Sequence, residues 1–408
     1  MYIIYTIAQN KTGGGGRRFY LEICRELDLI DDLYGSISIN YYDLKNIYPE
    51  YKFNHFSFDS SWSENDNSNL IPQENFIISH LKKCDKLLFD TEYSYYDFQN
   101  RFKDLLKKHP IKTIVLVHDQ FWKKDPYILK RLNLLRNKKE IINFDPYLKL
   151  NIGLKRDRLN EFFFFFKSNL LPIRSFFKRS QKDKLVKWRI KELKKVDYIF
   201  SLTDRSANST AKLLKHKKSF SNFALETNTI SSNNLKKNDD FRIITYSRIA
   251  AEKNIEISIM AFSKANIPNK KLIIMGLKFD NNYFNQLMKL IKKLNLINKV
   301  EFKINVTEDE AISNLLNSNA FICSDICDFN LSTYKAFCLG VPVVVSAGYD
   351  FNKDIFKNNF IISNNYNSTE MAKSLEKVSQ TEIKQSYFNS EKYSFKNYIT
   401  KLNFLTND

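Results

Sequence analysis

Cysteine, histidine and long apolar runs are all scarce in this chain, and each shortage excludes a class of protein. Its 408 residues include five cysteines, an odd number without regular spacing. That argues against a disulfide framework and for free thiols in a reducing compartment. Cys323, Cys327 and Cys338 lie near one another, but zinc would need a fourth ligand, and the last of the five histidines is His216. Small buried thiols are the expected reading, and no metal is expected. No apolar run approaches the ~20 residues of a membrane-spanning helix, and the mean hydropathy is −0.41. The opening MYIIYTIAQN has no basic segment and no small-residue cleavage pattern, so it reads as a first strand and not a signal peptide. A cytoplasmic protein is expected.

Acids are the other deficit: 45 Asp+Glu stand against 64 Lys+Arg, a formal net charge of +19. Such a balance attracts polyanions, whether nucleic acid, an anionic membrane face or phosphorylated ligands. Charge alone does not choose among them. Hydrophobic residues make up 43% of the chain, enough for real cores, and the length suggests two domains of about 150–200 residues.

What is present is an alternation of strands and helices. Tyr2–Ile7, Lys86–Phe89, Thr113–Val117 and Asp197–Leu202 read as strands, the apolar runs being of the kind found in parallel sheets. Between the first two lie a loop from Gln9 to Gly16 and a helix over Arg17–Leu29. The stretch 220–238 is polar and aperiodic and reads as an interdomain connection. Beyond it, strands are expected at Arg242–Tyr246, Lys271–Met275, Val300–Ile304, Ala320–Cys323 and Val341–Val345, with helical patterns between. Two such βα arrays imply an α/β protein of two doubly wound, Rossmann-like domains with ligands at the strand C-termini in a central cleft. The boundaries read as 1–222, a linker at 223–238, a second domain at 239–385, and a C-terminal helix in 386–408 that crosses back.

Segment 151–195 stands apart. Five consecutive phenylalanines, Phe162–Phe166, are followed by Phe176, Phe177 and Trp188, all interleaved with Lys and Arg. Three readings stay open: a helix covering the N-terminal core, a basic-aromatic surface resting on anionic lipid, or a stacking platform for single-stranded nucleic acid. No recognised nucleic-acid module accompanies it, so nucleic acid is not expected as a partner.

Two stretches carry chemistry. Phe241–Ala251 (FRIITYSRIAA) reads as a strand and a turn bearing Arg248, with Lys253 and a helix from Ile255 behind it. Cys327–Val345 (CDFNLSTYKAFCLGVPVVV) reads as a loop, a helix starting at Ser332 or Thr333, a terminating Gly340 and a buried strand. Two cations after one strand and a helix N-terminus after another suit a diphosphate, because cations and free N–H groups meet phosphate oxygens.

Together these pieces resemble the GT-B glycosyltransferases, specifically retaining family 4 (glycosyl transferases group 1). The family's Gly-Arg-x-x-x-Glu-Lys-Gly turn corresponds to Ser247-Arg248-Ile249-Ala250-Ala251-Glu252-Lys253-Asn254. Its Glu-Ala-Met-Ala-x-Gly-x-Pro-Val-Val pattern corresponds to Lys335-Ala336-Phe337-Cys338-Leu339-Gly340-Val341-Pro342-Val343-Val344. Gly13–Gly16 before Arg17, and Val117-His118-Asp119, match features of the N-terminal domain. The chain departs from the family at its pair of acids spaced eight apart, where Cys327 and Lys335 stand; Asp328 lies beside the first. Either the donor is held differently, or the protein is a silent relative that binds a partner transferase or a glycan. A nucleotide-sugar epimerase of the same fold is a further alternative.

The resemblance implies a retaining hexosyltransferase-type enzyme moving a sugar from a nucleoside-diphosphate donor to a glycan or lipid-linked acceptor. The sugar nucleotide is its co-substrate, and it needs neither cofactor nor metal. His118, Arg248 and Lys253 would be catalytic. Gly14, Gly15, Gly16, Arg248, Lys253, Asp328, Asn330, Leu331, Ser332 and Lys335 would hold the donor. An anionic membrane surface on the cytosolic side would be a further partner.

Overall fold

The computed structural model describes residues 1–7, 15–39, 54–58, 70–102, 104–117, 188–225, 240–250, 253–278, 280–325, 330–346, 360–363, 367–380 and 391–407. They form two compact units. The first draws its described residues from 1–122, 172–226 and 390–408, and those of the second fall within 227–389.

In the first unit β1 (Tyr2–Ile7), β2 (Leu33–Ile39), β3 (His55–Phe58), β4 (Lys86–Phe89), β5 (Lys112–Val117), β6 (Tyr198–Ser201) and β7 (Ser219–Ser221) form one parallel sheet, in the order β3-β2-β1-β4-β5-β6-β7. In the second, β8 (Phe241–Tyr246), β9 (Lys270–Gly276), β10 (Val300–Ile304), β11 (Ala320–Cys323), β12 (Val343–Val345) and β13 (Phe360–Ile362) form another, in the order β10-β9-β8-β11-β12-β13. The helices are α1 (Gly15–Leu29), α2 (Leu70–Leu81), α3 (Glu92–Arg101) and α4 (Asp204–Leu214) in the first unit. They are α5 (Ile255–Lys264), α6 (Asn281–Lys293), α7 (Glu308–Leu316), α8 (Leu331–Cys338) and α9 (Ser368–Gln380) in the second. Last comes α10 (Phe395–Thr406), in the first unit again. A one-turn helix also lies at Leu105–Lys108.

The first sheet shows why its central strands are apolar on both faces. Side chains alternate along a strand, so Ile3 and Tyr5 enter one core with Leu87, Phe89, Val115 and Ile199. Tyr2 and Ile4 enter the other with Leu88, Ile114, Leu116 and Phe200. On that second face α1 packs against α10, with Phe19 edge-on to Phe395 and Tyr398 at 5.2 and 5.3 Å between ring centres. Hydrogen bonds tie α10 and its approach in place: Asn222 Nδ2 donates to the Tyr398 carbonyl at 2.9 Å, and Leu225 N to the Tyr393 carbonyl at 2.9 Å.

Several expectations shift. The connection read over 220–238 starts too early, because Ser219–Ser221 is a sheet strand and Phe223, Ala224 and Leu225 are buried. A stretch that looks polar is thus held by backbone pairing and by a few apolar side chains; residues 226–239 lie outside the described set. Most of segment 151–195 also lies outside it. At its described end Trp188 sits 5.7 Å from Tyr96, ring to ring, and Leu193 is fully buried. Trp188 is therefore spent on the core of the first unit. Of the cysteines, Cys24 and Cys323 are the buried thiols expected, but Cys338 is exposed and Cys84 half-buried. Among the described residues no helix is long and apolar enough to cross a membrane.

Candidate functional site

Counting from its own first strand, the second sheet runs 3-2-1-4-5-6, so the connections leave β8 and β11 in opposite directions. That reversal opens a crevice at the strand C-termini, where doubly wound sheets bind ligands. The loops that follow β8 and β11 carry the residues singled out from the sequence.

After β8 the chain is pinned to β9. Ile249 N donates to the Leu277 carbonyl at 2.8 Å, and Ile249 bridges Lys278. Gly276, at φ +144°, is essential to this approach, since a Cβ there would collide with the Ser247 carbonyl. Ile249 and Ala250 are fully buried, which leaves Arg248 exposed on the loop. Lys253 turns back with its N–H on the Ala250 carbonyl at 3.0 Å. Asn254 is left-handed at φ 50°, which explains the glycine of the family turn and why Asn, the residue best suited to that region after Gly, replaces it. Behind it Tyr283 Oη accepts from Ile255 N at 2.8 Å and donates to the buried Glu256, fixing the start of α5.

The loop after β11 meets this turn. Ser324 Oγ donates to the Asn254 carbonyl at 2.8 Å and accepts from Ser258 Oγ at 2.9 Å. Asp325 follows, buried, with Oδ2 3.1 Å from Lys253 Nζ and 3.1 Å from Asn330 Nδ2. Asn330 also caps α8, its Oδ1 accepting from Ser332 N at 2.9 Å. The helix therefore starts at Leu331, before the expected Ser332 or Thr333, and ends on Gly340 at φ +79°, as its sequence position suggests.

The two sequence-derived halves of the site thus converge, and the joining residue, Asp325, was not anticipated. Lys253, expected to bind the donor diphosphate, is buried in an ion pair with Asp325. The N–H groups of Ser332 and Thr333, read as phosphate donors, are engaged by Asn330 at 2.9 and 3.1 Å. Lys335, in the last turn of α8, is ion-paired with Glu308. Gly15 and Gly16 open α1. Gly14, His118, Asp119, Ala251, Glu252, Cys327 and Asp328 lie outside the described residues. Among the described residues no three His, Cys, Asp or Glu side chains gather as a metal cluster.

The first unit has its own switch point between β1 and β4, and a carboxylate occupies it. Asp90 accepts from Thr6 Oγ1 at 2.7 Å and from Ser94 Oγ. Burial outweighs these hydrogen bonds and pushes its carboxyl up to about 6.

Residues 226–395 match the family described as glycosyl transferases group 1. Solved structures extend the likeness over the whole chain. Anabaena Alr3699/HepE, in complex with UDP and glucose, superposes with a TM-score of 0.66 at 12% identity, covering 99% of this chain and 98% of its own. The fold is GT-B. The lipopolysaccharide outer core galactosyltransferase WaaB follows at TM-score 0.63 and 11% identity, with 99% of each chain covered. A mutant of S. aureus TarM in complex with fondaparinux, α-GlcNAc-glycerol and UDP gives 0.65 at 12% identity, with 100% of each covered. No protein of curated function matches the sequence significantly. On this GT-B frame the matched segment coincides with the second unit, the one whose switch point holds Arg248, Lys253 and the start of α8.

Proposed function

We propose that the protein transfers a sugar from a nucleoside-diphosphate donor to a glycan or lipid-linked acceptor, with retention of configuration. The observation that carries this is the convergence of Lys253, on the turn after β8, with the capped N-terminus of α8 at the switch point. Arg248 stands exposed on the same loop. Two cations and a helix dipole stabilise the charge that builds on the leaving diphosphate more than they stabilise the bound donor, which is what accelerates transfer. HepE and TarM are held with UDP, which makes uracil the first base to try.

In this reading no metal is required, because protein cations serve the diphosphate. Retention follows from a front-face reaction in which the departing phosphate helps to deprotonate the acceptor. Screening sugar nucleotides by thermal shift tests the proposal, since a ligand of the native state must raise its stability. A rise with one class of sugar nucleotide and not with its free sugar supports it; no shift with any of them counts against a donor site.

The alternative, a silent GT-B subunit, is favoured by one observation. Lys335, where the family carries an acid, is engaged with Glu308. A protein that binds glycan but no nucleotide in the same screen would establish that reading.

A further inference from the structure

The ion pair of Lys253 and Asp325 is unusual for its burial, at 7% and 2% exposed. Two opposite charges removed from water gain little stability over an apolar pair of the same volume, so packing alone does not call for them. The arrangement is also shared. A single oxygen, Asp325 Oδ2, accepts from Lys253 on one loop and from Asn330 on the other, both at 3.1 Å. Asn330 passes the connection on to α8 through its cap. The backbone on each side is fixed as well: Ser346 Oγ donates to the Asp325 carbonyl at 2.7 Å, and Ser324 Oγ to the Asn254 carbonyl at 2.8 Å.

We propose that Asp325 is the resident counter-ion of the diphosphate site, a positioning residue that holds the Lys253 ammonium beside the start of α8 and offsets its charge. The inference rests on the donor-site reading of Lys253 given above. An uncompensated ammonium in a buried site attracts a diphosphate far more strongly than one in water, because the effective dielectric is low. Such a site binds its donor, but it also retains the nucleoside diphosphate left after transfer. A carboxylate fixed against the ammonium lowers that attraction for donor and product alike while keeping the cation in place. Asp325 thereby sets a limit on product affinity.

The test is calorimetric binding of UDP, with GDP and ADP alongside, to the parent, Asp325→Asn, Lys253→Met and the double variant. Asparagine keeps the shape and an acceptor oxygen but not the charge. Asp325→Asn is expected to bind the nucleotide about tenfold more tightly, and Lys253→Met at least tenfold more weakly, than the parent. In the double variant the gain should vanish, leaving affinity within about twofold of Lys253→Met, because Asp325 acts through the lysine. Asp325→Asn loses stability by removing a carboxylate from a buried ammonium, so the nucleotide-induced rise in thermal midpoint reads affinity in the fraction that folds. The double variant, with both charges gone, should regain the lost midpoint.

Unchanged or weaker nucleotide binding by Asp325→Asn, or a gain that persists without Lys253, overturns the counter-ion role. If Lys253→Met weakens binding while Asp325→Asn does nothing, only this inference fails and the donor site stands. If none of the three nucleotides binds parent or variants, the donor-site reading itself falls, and the counter-ion role with it.

Discussion

Lys335 in α8 is ion-paired with Glu308, the first residue of α7, with side-chain exposures of 27% and 39%. Lys335 stands where the family pattern has the second of its two acids spaced eight apart. Substituting Lys335 by Glu does not simply restore that pattern, because the new carboxylate would face Glu308. Like charges at that distance repel, and the exposed setting keeps both effects modest. Lys335→Ala is expected to cost about 0–1 kcal/mol of stability and Lys335→Glu somewhat more, with turnover reduced in both. Urea unfolding with parallel assays checks this. A rise in activity for Lys335→Glu would show that the site is a degenerate version of the family's own.

Arg248 and Lys253 should separate function from stability. Arg248 is exposed, so Arg248→Ala should leave stability within about 0.5 kcal/mol while costing ~2–4 kcal/mol of diphosphate binding through lost charge-assisted bonds. Lys253→Ala removes the cation from the buried Asp325 carboxylate and should cost about 3–5 kcal/mol of stability as well. Chemical unfolding and nucleotide titration on the same preparations measure both quantities. Equal stability losses in the two variants would contradict the burial argument.

Gly276 allows the close approach of the loop after β8 to β9. Replacing it with Ala forces the Ser247 carbonyl to move, and Arg248 is the next residue. Gly276→Ala is expected to destabilise the second unit by more than about 1 kcal/mol, since both the collision and the positive φ oppose a side chain. Nucleotide affinity should fall with it. Full affinity in a folded Gly276→Ala protein would mean that Arg248 does not depend on this approach.

Asp90 gives the first unit a pH dependence of known sign. Its carboxyl, pushed up to about 6 by burial, titrates near 4 in the unfolded chain. Between these values the folded state binds the extra proton, so Asp90's contribution favours folding at low pH and declines as pH rises from about 4 to about 6, then stays level. The charged form costs about 2–3 kcal/mol at neutral pH. Asp90→Asn should therefore gain on the parent between pH 4.5 and pH 7 in urea midpoints. A constant difference across that range would place the Asp90 pKa at its ordinary value.

Much of the fold was legible because the central strands are apolar on both faces. Tyr2–Ile7, Lys86–Phe89, Val300–Ile304 and Ala320–Cys323 stand at the bounds read from the sequence. Edge and near-edge strands were not legible. Leu33–Ile39 (LYGSISI) carries Gly35 and two serines, and Ser36 is buried with its hydroxyl hydrogen-bonded to Tyr20 Oη. In the candidate site, Arg248, Lys253 and Gly340 stand out in the sequence through their position after strands. Asp325 was missed because a single acid between Ser324 and Ile326 looks like any loop residue. Its role depends on Lys253, which lies 72 positions away in sequence. Glu308 was hidden similarly, as one of three acids in the first turn of α7, a normal helix start.

The most direct test of the central claim is consumption of a stabilising sugar nucleotide by the purified protein, followed as release of the nucleoside diphosphate. The parent should release it, with glycan acceptor or slowly to water, and chelation of divalent metal should not alter the rate. Arg248→Ala should release it at least tenfold more slowly. A parent that binds the sugar nucleotide but releases no diphosphate with any glycan or lipid-linked acceptor, or an Arg248→Ala variant as fast as the parent, would contradict the account.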